Sequence, residues 1–166
     1  MAYDFGDVLE GVRHSRQFFY KHLEGMTEEQ WEWKPFPECK SVRETLSHMI
    51  ANDRAALDTL RSGKTPDNWE AHYRATEEEF AQTPREALLA AHRDSHEAIL
   101  AYLEATYPAA ETALDTPANL WGSSGKLAAL VSHLSSEDFY HAGQVAFIRQ
   151  ATDASWNYYQ DVYGGL

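Results

Sequence analysis

The chain has 166 residues, with 14 Lys and Arg against 26 Asp and Glu for a net charge of −12, and a single cysteine, Cys39. That length suits one domain, residues 1–166, able to bury a sizeable core without covalent staples, and 43% hydrophobic residues with five Trp, nine Tyr and seven Phe mark it as globular rather than disordered. The charge argues against nucleic acid and against an anionic membrane surface; one cysteine excludes a disulfide framework or a thiolate zinc cage; and no apolar run is long enough for a membrane span, nor does MAYDFGDVLE read as a secretory signal, so a cytoplasmic protein is expected.

Helix punctuation organises the chain. Four Ser/Thr-x-x-Glu/Gln capping boxes are readable, at Thr27–Gln30, Ser41–Glu44, Thr76–Glu79 and Thr83–Glu86, the last followed by Pro84 at a helix start. The first helix is expected over 4–24, ending at Gly25, with Phe5, Val8, Leu9, Val12, Phe19 and Leu23 inward. A short turn of helix from Thr27 leads to the proline-broken loop WEWKPFPECK, residues 31–40. The second long helix is expected over 41–61, with Val42, Leu46, Met49, Ala56, Leu57 and Leu60 inward. After the connector SGKTPDN comes a weaker helical stretch at 76–82, then the third long helix over 84–106. Residues 107–125 read as irregular, a fourth long helix follows from Ser123 or Ser124 to about residue 151, and the aromatic tail from Asp153 reads as a short docked helix. No segment sustains apolar–polar alternation. The expected fold is all-α: a four-helix bundle with a short extra C-terminal helix.

Eight histidines carry the chemical interest. On the fourth long helix His133, Glu137 and His141 follow one another at one-turn spacing. At about 100° per residue, His141 falls near the centre of the stripe of Leu127, Leu130, Leu134, Val145 and Ile148, Glu137 lies about 40° to one side, His133 about 80° to that side, and Asp138 on the opposite flank. A carboxylate beside an inward histidine is costly unless a partner offsets its charge, and a divalent cation would do so, since His and Glu are both zinc ligands. The alternative is a wet edge and a hydrogen-bonded core histidine. His92 and His96 on the third long helix form a rival pair within the stripe of Leu88, Leu89, Ile99, Leu100 and Leu103, while His48 reads from spacing as a flank residue, about 120° from the centre of its stripe. Spacing alone does not choose among these.

HLSSEDFYHAGQVAFIR (133–149), with its core Tyr140-His141-Ala142-Gly143-Gln144, together with SVRETLSHMIAND (41–53) and Trp33-Lys34-Pro35, resembles the DinB/YfiT-like family of metal-binding four-helix bundles. The resemblance extends over nearly the whole chain, including the tail after Arg149. It implies three metal ligands, one in the middle of the second long helix and two a turn apart on the last, which by position are His48, Glu137 and His141. Glu137 stands where the family has histidine, so the implied metal is Zn or Ni, with Mn or Fe accommodated by the harder oxygen donor. Such a donor set leaves an open coordination position. His133, Tyr140 and Gln144, with Asn52 and Arg149, are the residues expected nearby, and Cys39 is expected to be a bystander thiol.

The function this implies is a divalent-metal-dependent enzyme acting on a small-molecule substrate, by hydrolysis or by transfer involving a low-molecular-weight thiol. The alternative is a stress-related binding module with a structural metal or none. The family also implies a homodimer, towards which only the aromatic excess at Trp69, Trp121 and the tail points.

Overall fold

A computed structural model describes residues 4–120 and 123–165; Trp121, one of the residues connected above with self-association, lies outside them. The elements in chain order are α1 (Phe5–Leu23), α2 (Glu28–Glu32), α3 (Val42–Ser62), α4 (Trp69–Phe80), α5 (Arg85–Thr106), a 3-10 turn (Glu111–Asp115), β1 (Pro117–Leu120), β2 (Ser123–Lys126), α6 (Leu127–Thr152), α7 (Tyr158–Asp161) and a last 3-10 turn (Tyr163–Gly165). The architecture is the expected all-α bundle of four long helices, α1, α3, α5 and α6, with a short C-terminal helix. Among the described residues no helix is long and apolar enough to cross a membrane.

Capping chemistry marks several of the helix starts, and two of the expected boxes are not formed. Thr27/Gln30 and Ser41/Glu44 form reciprocal boxes as expected, and Asp4/Asp7 forms a third at the head of α1. Thr76 caps nothing: it lies inside α4, its hydroxyl donating to the His72 carbonyl at 3.2 Å. The helix starts seven residues earlier because Asn68 accepts the Ala71 N–H at 3.0 Å and because His72 bonds the Ala51 carbonyl of α3 at 2.8 Å. Thr83 likewise gives its hydroxyl to the Glu79 carbonyl, and α5 starts after Pro84 without a side-chain cap. α3 stops at Gly63, whose φ of 70° is the left-handed conformation that closes a helix.

The region read as irregular contains a small antiparallel hairpin, Pro117 opposite Lys126 and Leu120 opposite Ser123. Ser123 and Ser124 therefore belong to a strand rather than a helix start, and α6 begins at Leu127, whose N–H bonds the Thr116 carbonyl at 2.9 Å.

α1 packs along α6 and α3 along α5, with α4 laid on α3. The buried apolar side chains fall into two clusters. One gathers Phe19, Trp31, Leu46, Ile50, Leu88 and Val145; the other gathers Phe5, Leu9, Val12, Ile99, Leu103 and Leu127. On each long helix the segment between its two contributions carries buried polar groups instead: Ser15 and Arg16 on α1, Asp53 on α3, His92 and His96 on α5, Asp138 and His141 on α6. The bundle thus has a polar layer across its middle, and the candidate site opens from it.

Candidate metal centre

α3 presents His48 and Asn52 one turn apart, and α6 presents Glu137 and His141 one turn apart, so the two helices face each other with two polar side chains apiece. One donor atom from each of His48, Glu137 and His141 lies within 4.8 Å of the other two, and this trio is the metal-compatible group among the described residues. The His48 and His141 rings meet edge to face, 5.4 Å between centroids.

The hydrogen bonds around the trio orient each donor. His141 Nδ1 lies 2.7 Å from Gln144 Oε1. An amide oxygen only accepts, so Nδ1 carries a proton, which in the neutral ring leaves the lone pair on Nε2. That Nε2 is buried without a hydrogen-bond partner, 3.4 Å from Glu137 Oε2. On α4, the Tyr73 hydroxyl donates to Asn52 Oδ1 at 2.6 Å, which turns the Asn52 NH₂ towards the trio, 2.9 Å from Glu137 Oε2 and 3.3 Å from His48 Nε2. His133 Nε2 stands 3.8 Å from the other Glu137 oxygen.

The electrostatics match a cation site. Burial pushes the His48 pKa down to about 4, so the ring is neutral at neutral pH. The Glu137 carboxyl is held below its ordinary value by its contact with His141, against the opposing effect of burial. Two imidazoles and one carboxylate form the candidate donor set. The 3.4 Å between His141 Nε2 and Glu137 Oε2 is close to the roughly 3.3 Å separating two donors that share a tetrahedral ion at about 2.0–2.1 Å. The residues fit the group that the sequence implied.

The other expectations divide. Tyr140 is exposed, its ring centroid 5.1 Å from that of His141, and Gln144 is the His141 partner. Arg149 lies elsewhere: its guanidinium donates to the His22 carbonyl at 3.1 Å and to Glu24, over the Trp156 ring, tying the tail to the end of α1. His92 and His96 gather no third ligand among the described residues. Both nitrogens of the His92 ring are used, Nε2 3.0 Å from Arg16 Nη1 and Nδ1 2.8 Å from the Tyr20 hydroxyl, while both His96 nitrogens are buried without hydrogen-bond partners.

Two features escaped the sequence reading. Tyr73, which fixes the Asn52 amide, sits on the helix whose start was misplaced. Beneath the trio, Arg16 joins Asp138 (Nε to Oδ1, 2.7 Å) and Asp53 (Nη1 to Oδ2, 3.2 Å). Ser15 and Ser95 donate to the same two carboxylates, each at 2.8 Å. Arg16 lies between Val12 and Phe19 on the inward stripe, and Asp53 between Ile50 and Ala56; charged residues at stripe positions are the signal that was available. Asp138, read as a flank residue, is fully buried on Arg16.

A cavity of about 630 Å³ opens against the trio, with His48 and His141 in its wall.

The sequence model of the DinB superfamily matches residues 12–145. The backbone resembles the crystal structure of a DinB-like protein from Bacillus cereus, with a TM-score of 0.62 and 12% identity over 92% of this chain and 95% of that one. No curated protein matches the chain. With the family match extending from the first long helix into the last and taking in all three candidate ligands, the chain belongs to the DinB superfamily.

Proposed function

We propose that His48, Glu137 and His141 hold one divalent cation, and that the protein is a metal-dependent enzyme acting on a small molecule in the adjoining cavity. The observation that carries the reading is His141 Nε2, a buried lone pair with no protein partner, aimed beside an ionised carboxylate. A buried acceptor left in that condition is costly in the absence of a ligand. The two-nitrogen, one-oxygen donor set suits Zn or Ni and tolerates Mn or Fe. Three protein ligands leave room for a substrate atom at a further position, in contrast to a closed structural site.

A bound cation would supply Lewis acidity, favouring the deprotonated form of a water or of a low-molecular-weight thiol at neutral pH. The chain's own groups do the rest. Gln144 fixes the His141 tautomer, and Tyr73 acting through Asn52 holds Glu137 in place. Tyr140, at the rim, has a hydroxyl suited to a polar group on the substrate. Hydrolysis and thiol transfer are both compatible with this arrangement.

The test is the metal content of protein purified without an affinity tag. About one divalent ion per chain is expected, lost in His48→Ala/His141→Ala. A protein that takes up no metal, or that keeps it in the double variant, refutes the reading.

A further inference from the structure

The cavity beside the trio is bounded by an uneven set of side chains. Phe36, Tyr140 and Phe147 all face it, and they are 66%, 62% and 54% exposed. They are half of the large hydrophobic side chains left exposed among the described residues, gathered at one opening. Pro35 and Ile148 add apolar wall. Of the charged side chains at the rim, Lys40 is already paired with Glu77 of α4, and Glu38 is an anion. The wall therefore offers flat apolar surface, and the positive charge for an anionic group would come from the ion held by His48 and His141 at its edge. At about 630 Å³ the cavity is in the range that encloses a small organic molecule.

We infer that the metal centre takes a substrate with an uncharged aromatic body and a single anionic or anion-forming head, the head on the metal and the ring between Phe36, Tyr140 and Phe147. This rests on the metal-centre reading above and adds the chemical class of the molecule bound there. Aromatic faces bury large area at low entropic cost and stack on flat rings. A highly charged or phosphorylated body would meet no complementary surface in this wall.

The experiment uses the full chain loaded with zinc and two probes with the same zinc-binding head, benzohydroxamate and acetohydroxamate. Affinities are measured by calorimetry and referred to the ratio the two probes show for zinc in solution. Replacing a methyl by a buried ring predicts a preference for benzohydroxamate of roughly tenfold or more. Phe147→Ser and Phe36→Ser are expected to bring that preference to within about threefold of unity, while the zinc affinity, read by competition with a chromophoric chelator, stays within about twofold. Equal affinities for the two probes, or a preference untouched in both variants, overturns the inference and leaves the metal centre standing. Failure of the unmodified chain to bind zinc in the chelator competition overturns both.

Discussion

Arg16 is the point at which the polar layer is most exposed to perturbation. Its guanidinium is buried, it bonds Asp138 at 2.7 Å and Asp53 at 3.2 and 3.3 Å, and both carboxylates are equally shut off from solvent. Arg16→Met leaves two buried acids with little beyond the Ser15 and Ser95 hydroxyls to satisfy them. Breaking a buried pair from one side costs about 3–5 kcal/mol, a large part of a typical total of about 5–15 kcal/mol. The loss depends on pH in a defined direction. Burial already raises the Asp138 carboxyl to about 6 with Arg16 in place. A raised acid favours the protonated native state, so its stabilising contribution is present below its unfolded value and is lost as pH rises through about 6. Without the guanidinium the carboxyl binds its proton more tightly still, so the penalty for Arg16→Met is smaller at pH 5 than at pH 8. Urea unfolding at the two pH values, on wild type and variant, measures this. Arg16→Met/Asp53→Leu/Asp138→Leu, which removes all three charges, is expected to recover most of the loss. A single-variant loss below about 1 kcal/mol at pH 8, or a penalty larger at pH 5, refutes the account of the layer.

The remaining predictions concern the histidines and their supports. Burial pushes His96 down to about 2, so below its unfolded value near 6.5 the unfolded chain takes up a proton that the native one refuses, and stability falls as pH falls. His96→Leu removes that proton: its stability should decline less steeply between pH 6 and pH 4.5, by up to about 1.4 kcal/mol per unit, and an unchanged slope would count against a neutral buried ring. Gln144→Met frees the His141 tautomer and is expected to weaken zinc binding about 10–100-fold with little change in unfolding midpoint; unaltered zinc affinity would remove Gln144 from the site. Tyr73→Phe acts on Glu137 only through the Asn52 amide and should weaken zinc in the same assay by less than Gln144→Met, which acts on His141 directly; a larger effect would refute that ordering.

The long helices were legible because apolar residues recur at helical spacing along each of them and some starts are chemically marked, as at Ser41–Glu44. α4 was not, because few of its side chains are buried and Thr76–Glu79 imitates a cap within it. The serines at 123 and 124 imitate a helix start in the same way, but cross-strand pairing with Leu120 and Asn119 takes them. At the site, spacing gave His141 its inward position and left His48 on a flank. A flank residue of α3 can meet α6 in a bundle, and it was the likeness to a family that joined His48 to the pair. Periodicity counted on apolar residues passes over buried charges, which is why the Arg16 layer went unseen although Arg16 and Asp53 lie on inward stripes. The partner that buries them is on another helix, and one helix's pattern does not name it.

The most direct measurement is anomalous diffraction at the zinc edge from crystals of zinc-loaded protein. The account predicts a single strong peak within coordination distance of His48, Glu137 and His141, with Gln144 still on His141 Nδ1. A peak at His92 and His96, or none at the trio in protein whose solution contains stoichiometric zinc, would contradict it.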